Sequence, residues 1–218
     1  MTSKIAAEAI GTAFLLIAVV GSGIMGERLA GGNIAVALLA NSVATGAALY
    51  VLISIFGPVS GAHFNPAVTL GFVLKGDLGA GAAPSYMMAQ VLGGVLGVLA
   101  THLMFDEALF QMSKTPRAGP GQWWAEIIAS FGLMLTILGG LYARPQAVPA
   151  LVACYITGAY WFTASTSFAN PAVTIARSLT DTFSGILPAH APMFIVMQFI
   201  GAALAVFVAR RLFVAGDD

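Results

Sequence analysis

Six stretches of this chain, at about 5–25, 34–56, 84–105, 122–142, 147–166 and 192–212, stay apolar for close to twenty residues each. That is the length an α-helix needs to cross a hydrocarbon core of about 30 Å. Barrel strands would alternate apolar and polar residues, and these runs do not, so the spans are expected to be helices that satisfy their own backbone groups. Composition agrees: 8% of the residues are charged and 59% apolar, too little charge for a soluble domain of this size to cover its surface. The expectation is a multi-pass membrane protein, one channel-like domain over 1–218. The first run contains Glu8 and is too long for a signal-peptide core, so it reads as a retained helix. Formal net charge is zero and no basic cluster occurs, which gives no footprint for nucleic acid.

Two shorter pieces remain, 65–75 and 170–180, each opening at Asn-Pro-Ala after a Gly/Ser-rich approach. Pro66 and Pro171 fall at the first helical position, where a missing N–H costs nothing, and Asn65 and Asn170 suit the N-cap. Ala67 and Ala172 complete the two motifs. About ten residues of helix span roughly 15 Å, half a membrane. Irregular backbone at that depth is tolerated where it lines a water-filled path.

The two halves, about 1–110 and 120–218, match beyond the tripeptide. "AEAIGTAFLL" (7–16) resembles "AEIIASFGLM" (125–134), and "QVLGGVLGVLA" (90–100) resembles "QFIGAALAVFV" (198–208), so the chain is an internal duplication. With three full spans per half, the second copy enters the membrane inverted, and the half-helices meet from opposite faces near the middle. The distribution of Lys and Arg places the N- and C-termini on the cytoplasmic side of a cell (inner or plasma) membrane. Small residues at 93–97 and 201–205 read as close helix packing.

Two helix N-termini aimed at one point raise the energy of a cation there, so protons and metal cations are expected to be excluded. Asn65 and Asn170 would aim amide donors into the path, while the carbonyls of Gly61, Ala62 and His63 and of Thr166, Ser167 and Phe168 would offer acceptors along one wall. A polar stripe on an apolar wall suits a small uncharged solute. Glu8 and Glu126, at equivalent places, are expected to accept hydrogen bonds from the approach segments and hold them in shape; the rival reading is a proton-coupled carboxylate. His63 reads as a pore-wall residue, His102 as packed or interfacial, Trp123 and Trp124 as an interfacial anchor, and Cys154 as a small packing residue. No metal-ligand set, no cofactor motif and no nucleophile with a base are visible, so the chain is not expected to be an enzyme.

"SGAHFNPAVT", the second "NPA", the paired "AE" openings and the inverted repeat together resemble the aquaporin and glycerol-facilitator family (major intrinsic proteins) across essentially the whole chain. The resemblance implies an all-α membrane fold of six transmembrane helices and two re-entrant half-helices, a pore within each protomer and a homotetramer. In that family four positions outward of the Asn-Pro-Ala centre set selectivity. Counted from the two asparagines they are Thr45, Gly158, Ser167 and Val173, where relatives carry an arginine at the last. A wide, neutral filter is therefore expected, passing solutes larger than water. The stretch "FANPAVTIARSLTDTFSGI" is similar to bacterial members associated with arsenic-resistance genes, which implies arsenite and related uncharged arsenicals, glycerol-like molecules and water as cargo. A water-selective channel, a coupled secondary transporter and an occluded junction protein are the alternatives. Arg177, four residues beyond Val173 and about 6 Å further out, either supplies donors at the outer mouth or bonds loop carbonyls or Asp181 as structure.

Overall fold

A computed structural model describes residues 1–213. Among them eight α-helices follow in order: α1 (Thr2–Leu29), α2 (Ile34–Ser60), α3 (Pro66–Lys75), α4 (Ala83–Phe105), α5 (Pro120–Ala143), α6 (Val148–Phe162), α7 (Pro171–Arg177) and α8 (Ala191–Leu212). Single 3₁₀ turns lead into α4, α6 and α8. Five segments, containing α1, α2, α4, α5 and α8, are long and apolar enough to cross a membrane. The sixth span, expected over 147–166, is a helix of only 15 residues. Its leading turn Pro145–Ala147 brings the rise to roughly 28 Å, close to one hydrocarbon thickness.

Corresponding contacts recur in the two halves. α1 packs on α2 and α4, as α5 packs on α6 and α8; across the halves α2 meets α6, α3 meets α8 and α4 meets α7. The short helices are thus each gripped by the opposite half. Chain connectivity puts the start of α1 and the ends of α3 and α8 at one face, where Arg210 donates to the Leu74 carbonyl. The opposite face holds the end of α1, where Arg28 donates to the Phe105 carbonyl at 2.9 Å, together with the connections 106–119 and 178–190.

Small residues set the spacing of α1 and α4. A Cβ on Gly93 would lie 2.2 Å from the Ala9 carbonyl oxygen, and one on Gly97 2.3 Å from that of Ala13. Between lipid-facing helices, where apolar burial gives no preference for protein over acyl chain, such backbone approach is the source of cohesion. Phe14, Leu96, Phe162 and Phe207 point outward, as lipid contact allows. Cys154 is exposed on α6, which corrects its reading as a packing residue: it lies on the helix face away from the core. Trp124 is exposed at the first turn of α5 and Trp123 packs inward. His102 is buried, with Nδ1 at 3.0 Å from the Leu109 carbonyl and Nε2 at 2.9 Å from Thr180 Oγ1.

Two boundaries depart from the sequence pattern. α2 continues through Pro58 to Ser60 and stops at Gly61, whose φ of +91° closes the helix in the left-handed region that glycine tolerates. Proline sacrifices one backbone bond in the last turn without ending the helix. α7 stops at Arg177 rather than near 180, because the Ser178 and Leu179 N–H groups fold back onto the Ile175 and Ala176 carbonyls in a tighter turn.

Candidate functional site

Asn65 and Asn170 cap α3 and α7 in extended conformation, φ −156° and −158°, and their Oδ1 atoms accept from Ala67 N at 2.9 Å and Ala172 N at 3.0 Å. Pro66 and Pro171 follow at the first helical position. The side-chain amides then reach across the midline. Asn65 Nδ2 donates to the Ala169 carbonyl at 2.7 Å and Asn170 Nδ2 donates to the Phe64 carbonyl at 2.8 Å. Each amide nitrogen has a second hydrogen and each carbonyl a second lone pair. The midpoint therefore offers both donors and acceptors to a passing solute.

The approaches to the caps are held in a conformation that L-residues avoid. Ala62 and Phe64 on one side, and Thr166, Ser167 and Ala169 on the other, have φ between +47° and +61°, at a cost of about 1–2 kcal/mol each. Glu8 offsets that cost on one side: its carboxylate accepts from Ser60 Oγ at 2.6 Å, His63 N at 3.0 Å, Phe64 N at 2.7 Å and Gln90 Nε2 at 2.8 Å. Glu126 repeats the set with Ser165 Oγ at 2.5 Å, Phe168 N at 3.0 Å, Ala169 N at 2.8 Å and Gln198 Nε2 at 2.6 Å. The two glutamines also donate to Thr69 and Thr174, whose hydroxyls bond the carbonyls of Asn65 and Asn170. With the backbone turned this way, the segments 61–65 and 167–170 line a single cavity of about 120 Å³. Gly61, Ala62, His63, Ser167 and Phe168 are on its wall; Thr166 is not, and its N–H donates to the Thr163 carbonyl. Phe64 and Ala169 stand there as well.

Much of the rest of the wall is apolar, with Leu15, Leu49, Val68, Leu133 and Ile137 among its residues. Near the end of α3, His63 stacks on Phe72 with ring centroids 4.5 Å apart, and its Nδ1 lies 3.2 Å from Thr69 Oγ1.

Towards the opposite face Thr45, Ser167 and Val173 lie on the cavity wall, and Gly158 does not. A Cβ added at Gly158 would meet only the outward-facing Phe162 ring, at 3.6 Å. Counting twelve residues back from Asn170 crosses the irregular connection 163–170, where helical register is lost. The count lands two residues before Tyr160, roughly 200° around the helix from the face that lines the cavity. That face is the i, i+4 stripe Val148, Val152, Ile156 and Tyr160. Tyr160, absent from the expected set, brings its hydroxyl 3.2 Å from Thr45 Oγ1. Ser167 Oγ is buried without a hydrogen-bond partner among the described residues.

Arg177 bonds a loop carbonyl and also stands on the cavity wall. Its Nε donates to the Ser184 carbonyl, and its guanidinium carbon lies 3.4 Å from the centroid of the Phe168 ring while the residue lines the cavity. It does not pair with Asp181, which accepts from Lys114 N at 2.8 Å instead. A second guanidinium, unforeseen from the sequence, comes from the connection 106–119. Arg117 Nε donates to the Gly185 carbonyl at 2.8 Å, its Nη1 to the Ser165 carbonyl at 3.4 Å, and its guanidinium carbon is 5.1 Å from the same Phe168 centroid. Desolvation pushes the Arg117 guanidinium below the ordinary arginine value, against the pull of Glu126 and Tyr160; it keeps its proton all the same.

Residues 1–162 match the family model described as Major intrinsic protein. The chain is 53% identical over 212 residues to Aquaglyceroporin AqpS from Rhizobium meliloti (strain 1021), covering 97% of this chain and 91% of that protein. It is 28% identical over 224 residues to Aquaporin Z from Bradyrhizobium diazoefficiens, covering 96% and 92%. Among solved structures, the aquaglyceroporin from Plasmodium falciparum superposes with a TM-score of 0.73 at 19% identity, over 97% of this chain and 96% of that one.

Proposed function

Since the chain belongs to the major intrinsic protein family, whose members are membrane channels and not enzymes, we propose that it is a passive channel of aquaglyceroporin type that carries arsenite, related uncharged arsenicals and glycerol-like solutes, with water passing as well. The likeness to a protein named Aquaglyceroporin AqpS supports the solute class. The observation that carries the reading is the set of side chains that line the cavity towards the opposite face. Val173 puts an isopropyl group where the resemblance leads one to expect an arginine, and Thr45, Tyr160 and Ser167 place hydroxyls around it. A half-apolar, half-hydroxyl ring matches a triol-like molecule, which offers both C–H or As–lone-pair surface and several O–H groups. Tyr160 returns one aromatic ring to this level, so the opening is bounded on that side even though Thr45 is small.

On this reading Thr45, Tyr160, Ser167 and Val173 act as the selectivity filter, with Arg177 adding donors just beyond. The Asn-Pro-Ala pair forms the midpoint of a pore within each protomer of a homotetramer. The halves 1–110 and 120–218 form one inverted-repeat domain in the cell membrane, with both termini cytoplasmic. Glu8 and Glu126 are each engaged by four donors, which leaves neither carboxylate free for the ion coupling a secondary transporter needs.

Stopped-flow measurements on proteoliposomes test the proposal. Wild-type vesicles should pass glycerol and arsenous acid down their gradients with no proton or sodium gradient. Val173→Arg should cut both fluxes by about tenfold while water flux falls less, as a guanidinium narrows the ring. Equal loss of water and glycerol flux in that variant would rule out Val173 as the basis of solute size selection.

A further inference from the structure

The two arginines near Phe168 are unusual in what they lack. Among the described residues the ion pairs are Arg28 with Glu107, Lys75 with Asp77 and Lys114 with Asp181; neither Arg117 nor Arg177 joins one. Both are bonded to neutral carbonyls, and those carbonyls belong to successive residues, Ser184 and Gly185. Both guanidinium carbons lie over one ring, at 3.4 Å and 5.1 Å from its centroid. The two charges therefore stand closer to each other than the Debye length of about 10 Å at 0.1 M salt. Like charges are brought together at a mouth only if something holds them there, and what holds them is visible: a cation–π contact to Phe168 for each, and the backbone carbonyls of the connection 178–190.

Arg117 is not on the cavity wall, whereas Arg177 is. Its influence therefore passes through the parts it touches. Ser165, whose carbonyl accepts from Arg117 Nη1, also donates its hydroxyl to Glu126. Phe168, under the guanidinium, is on the wall and has its N–H on the same carboxylate. The connection 106–119 is itself anchored where Arg117 leaves it: Arg117 N donates to His190 Nδ1 at 3.1 Å, and Leu187 N donates to the Thr115 carbonyl at 2.8 Å. No Nη hydrogen bond from Arg177 to protein occurs among the described residues, so those donors remain for the pore.

We propose that Arg117 is a positioning and charge-setting residue of this channel: it fixes Phe168 and Ser165 from behind and adds a second positive charge beside Arg177, so that the pair repels cations at a mouth where Val173 leaves the filter neutral. This rests on the reading of the chain as a neutral-solute channel. The half-helix dipoles at the midpoint act on a cation already inside; the guanidinium pair acts before entry. A unit charge at such range in a partly dry mouth alters cation occupancy by about tenfold. The fork of Arg117, which bonds two carbonyls at once, also makes it more than a charge, because lysine cannot reproduce that geometry.

The test uses the full chain in proteoliposomes with Arg117→Gln and Arg117→Lys beside wild type, reading glycerol-driven volume change and proton and potassium leak on the same vesicles. Arg117→Gln should raise cation leak per unit glycerol flux about tenfold. Arg117→Lys should hold the leak at the wild-type level while the glycerol-to-urea permeability ratio shifts at least about twofold. An Arg117→Gln channel that leaks no more than wild type at equal glycerol flux overturns the proposal. Should Arg117→Gln yield no folded protein, Arg117→Lys decides alone: a raised leak with the charge retained overturns it, and a wild-type leak with a shifted solute ratio supports it. Wild-type vesicles that fail to pass glycerol would bring down the channel reading itself; wild-type flux with unaltered variants would bring down only the role of Arg117.

Discussion

At Tyr160 a single hydroxyl lies 3.2 Å from Thr45 Oγ1, and both residues line the cavity. Tyr160→Phe keeps the ring and removes the hydroxyl. Glycerol flux should drop by about threefold or more, the loss of one hydrogen bond of about 1 kcal/mol in a desolvated site, with water flux changed less. Gly158→Ala, two residues away but on the other side of α6, should leave the glycerol-to-water ratio at its wild-type value, since its added methyl meets only Phe162. A ratio altered by Gly158→Ala and untouched by Tyr160→Phe would reverse the assignment. The contrast also shows which residues are legible in the sequence. Asn65 and Asn170 declare themselves because Asn at the N-cap and Pro at the first helical position head a short apolar run in both halves. Tyr160 is hidden from any count made across the connection 163–170, although the four-residue stripe along α6 holds the information locally. Arg117 lies in an aperiodic connection and offers no pattern at all; only its tertiary contacts single it out.

Helix starts in this chain follow local sequence signals, whereas the irregular segments that lead to the two Asn-Pro-Ala caps are shaped by distant partners. The starts of α3, α5 and α7 follow from proline at their first positions. The irregular segments after Ser60 and Phe162 take their path from Glu8 and Glu126, whose carboxylates accept from the N–H groups of His63, Phe64, Phe168 and Ala169 more than forty residues away in sequence, and no local pattern encodes that. Those carboxylates can be tested as structure. Glu126→Gln presents an amide to four donors and so breaks at least one bond in a buried network; stability should fall by about 1–3 kcal/mol, and Glu8→Gln should behave alike because its partners are the same in kind. Thermal unfolding in detergent measures both, and unchanged midpoints with lost flux would favour a transport role for the carboxylates instead. Between α1 and α4 the constraint is steric. Gly93→Ala places a methyl 2.2 Å from the Ala9 carbonyl oxygen, so the helices must separate, at about 1–3 kcal/mol, seen in the same melting experiment as a lower midpoint.

For the whole molecule, the cohesion of the pore comes from contacts between halves: α3 on α8, α4 on α7, and the crossed amide bonds at the midline. Those crossed bonds join residues 104 and 106 positions apart. Asn65 Nδ2 and the Phe64 carbonyl therefore have no such partner during synthesis until the second Asn-Pro-Ala has been made and has entered the membrane. Contacts of such separation form late, because the chain between them must first be ordered. The outer helices can insert one after another as each is produced, but the polar midpoint of the path is completed in one event near the end of biogenesis. A chain truncated before residue 170 would hold most of a membrane protein and nothing of a channel.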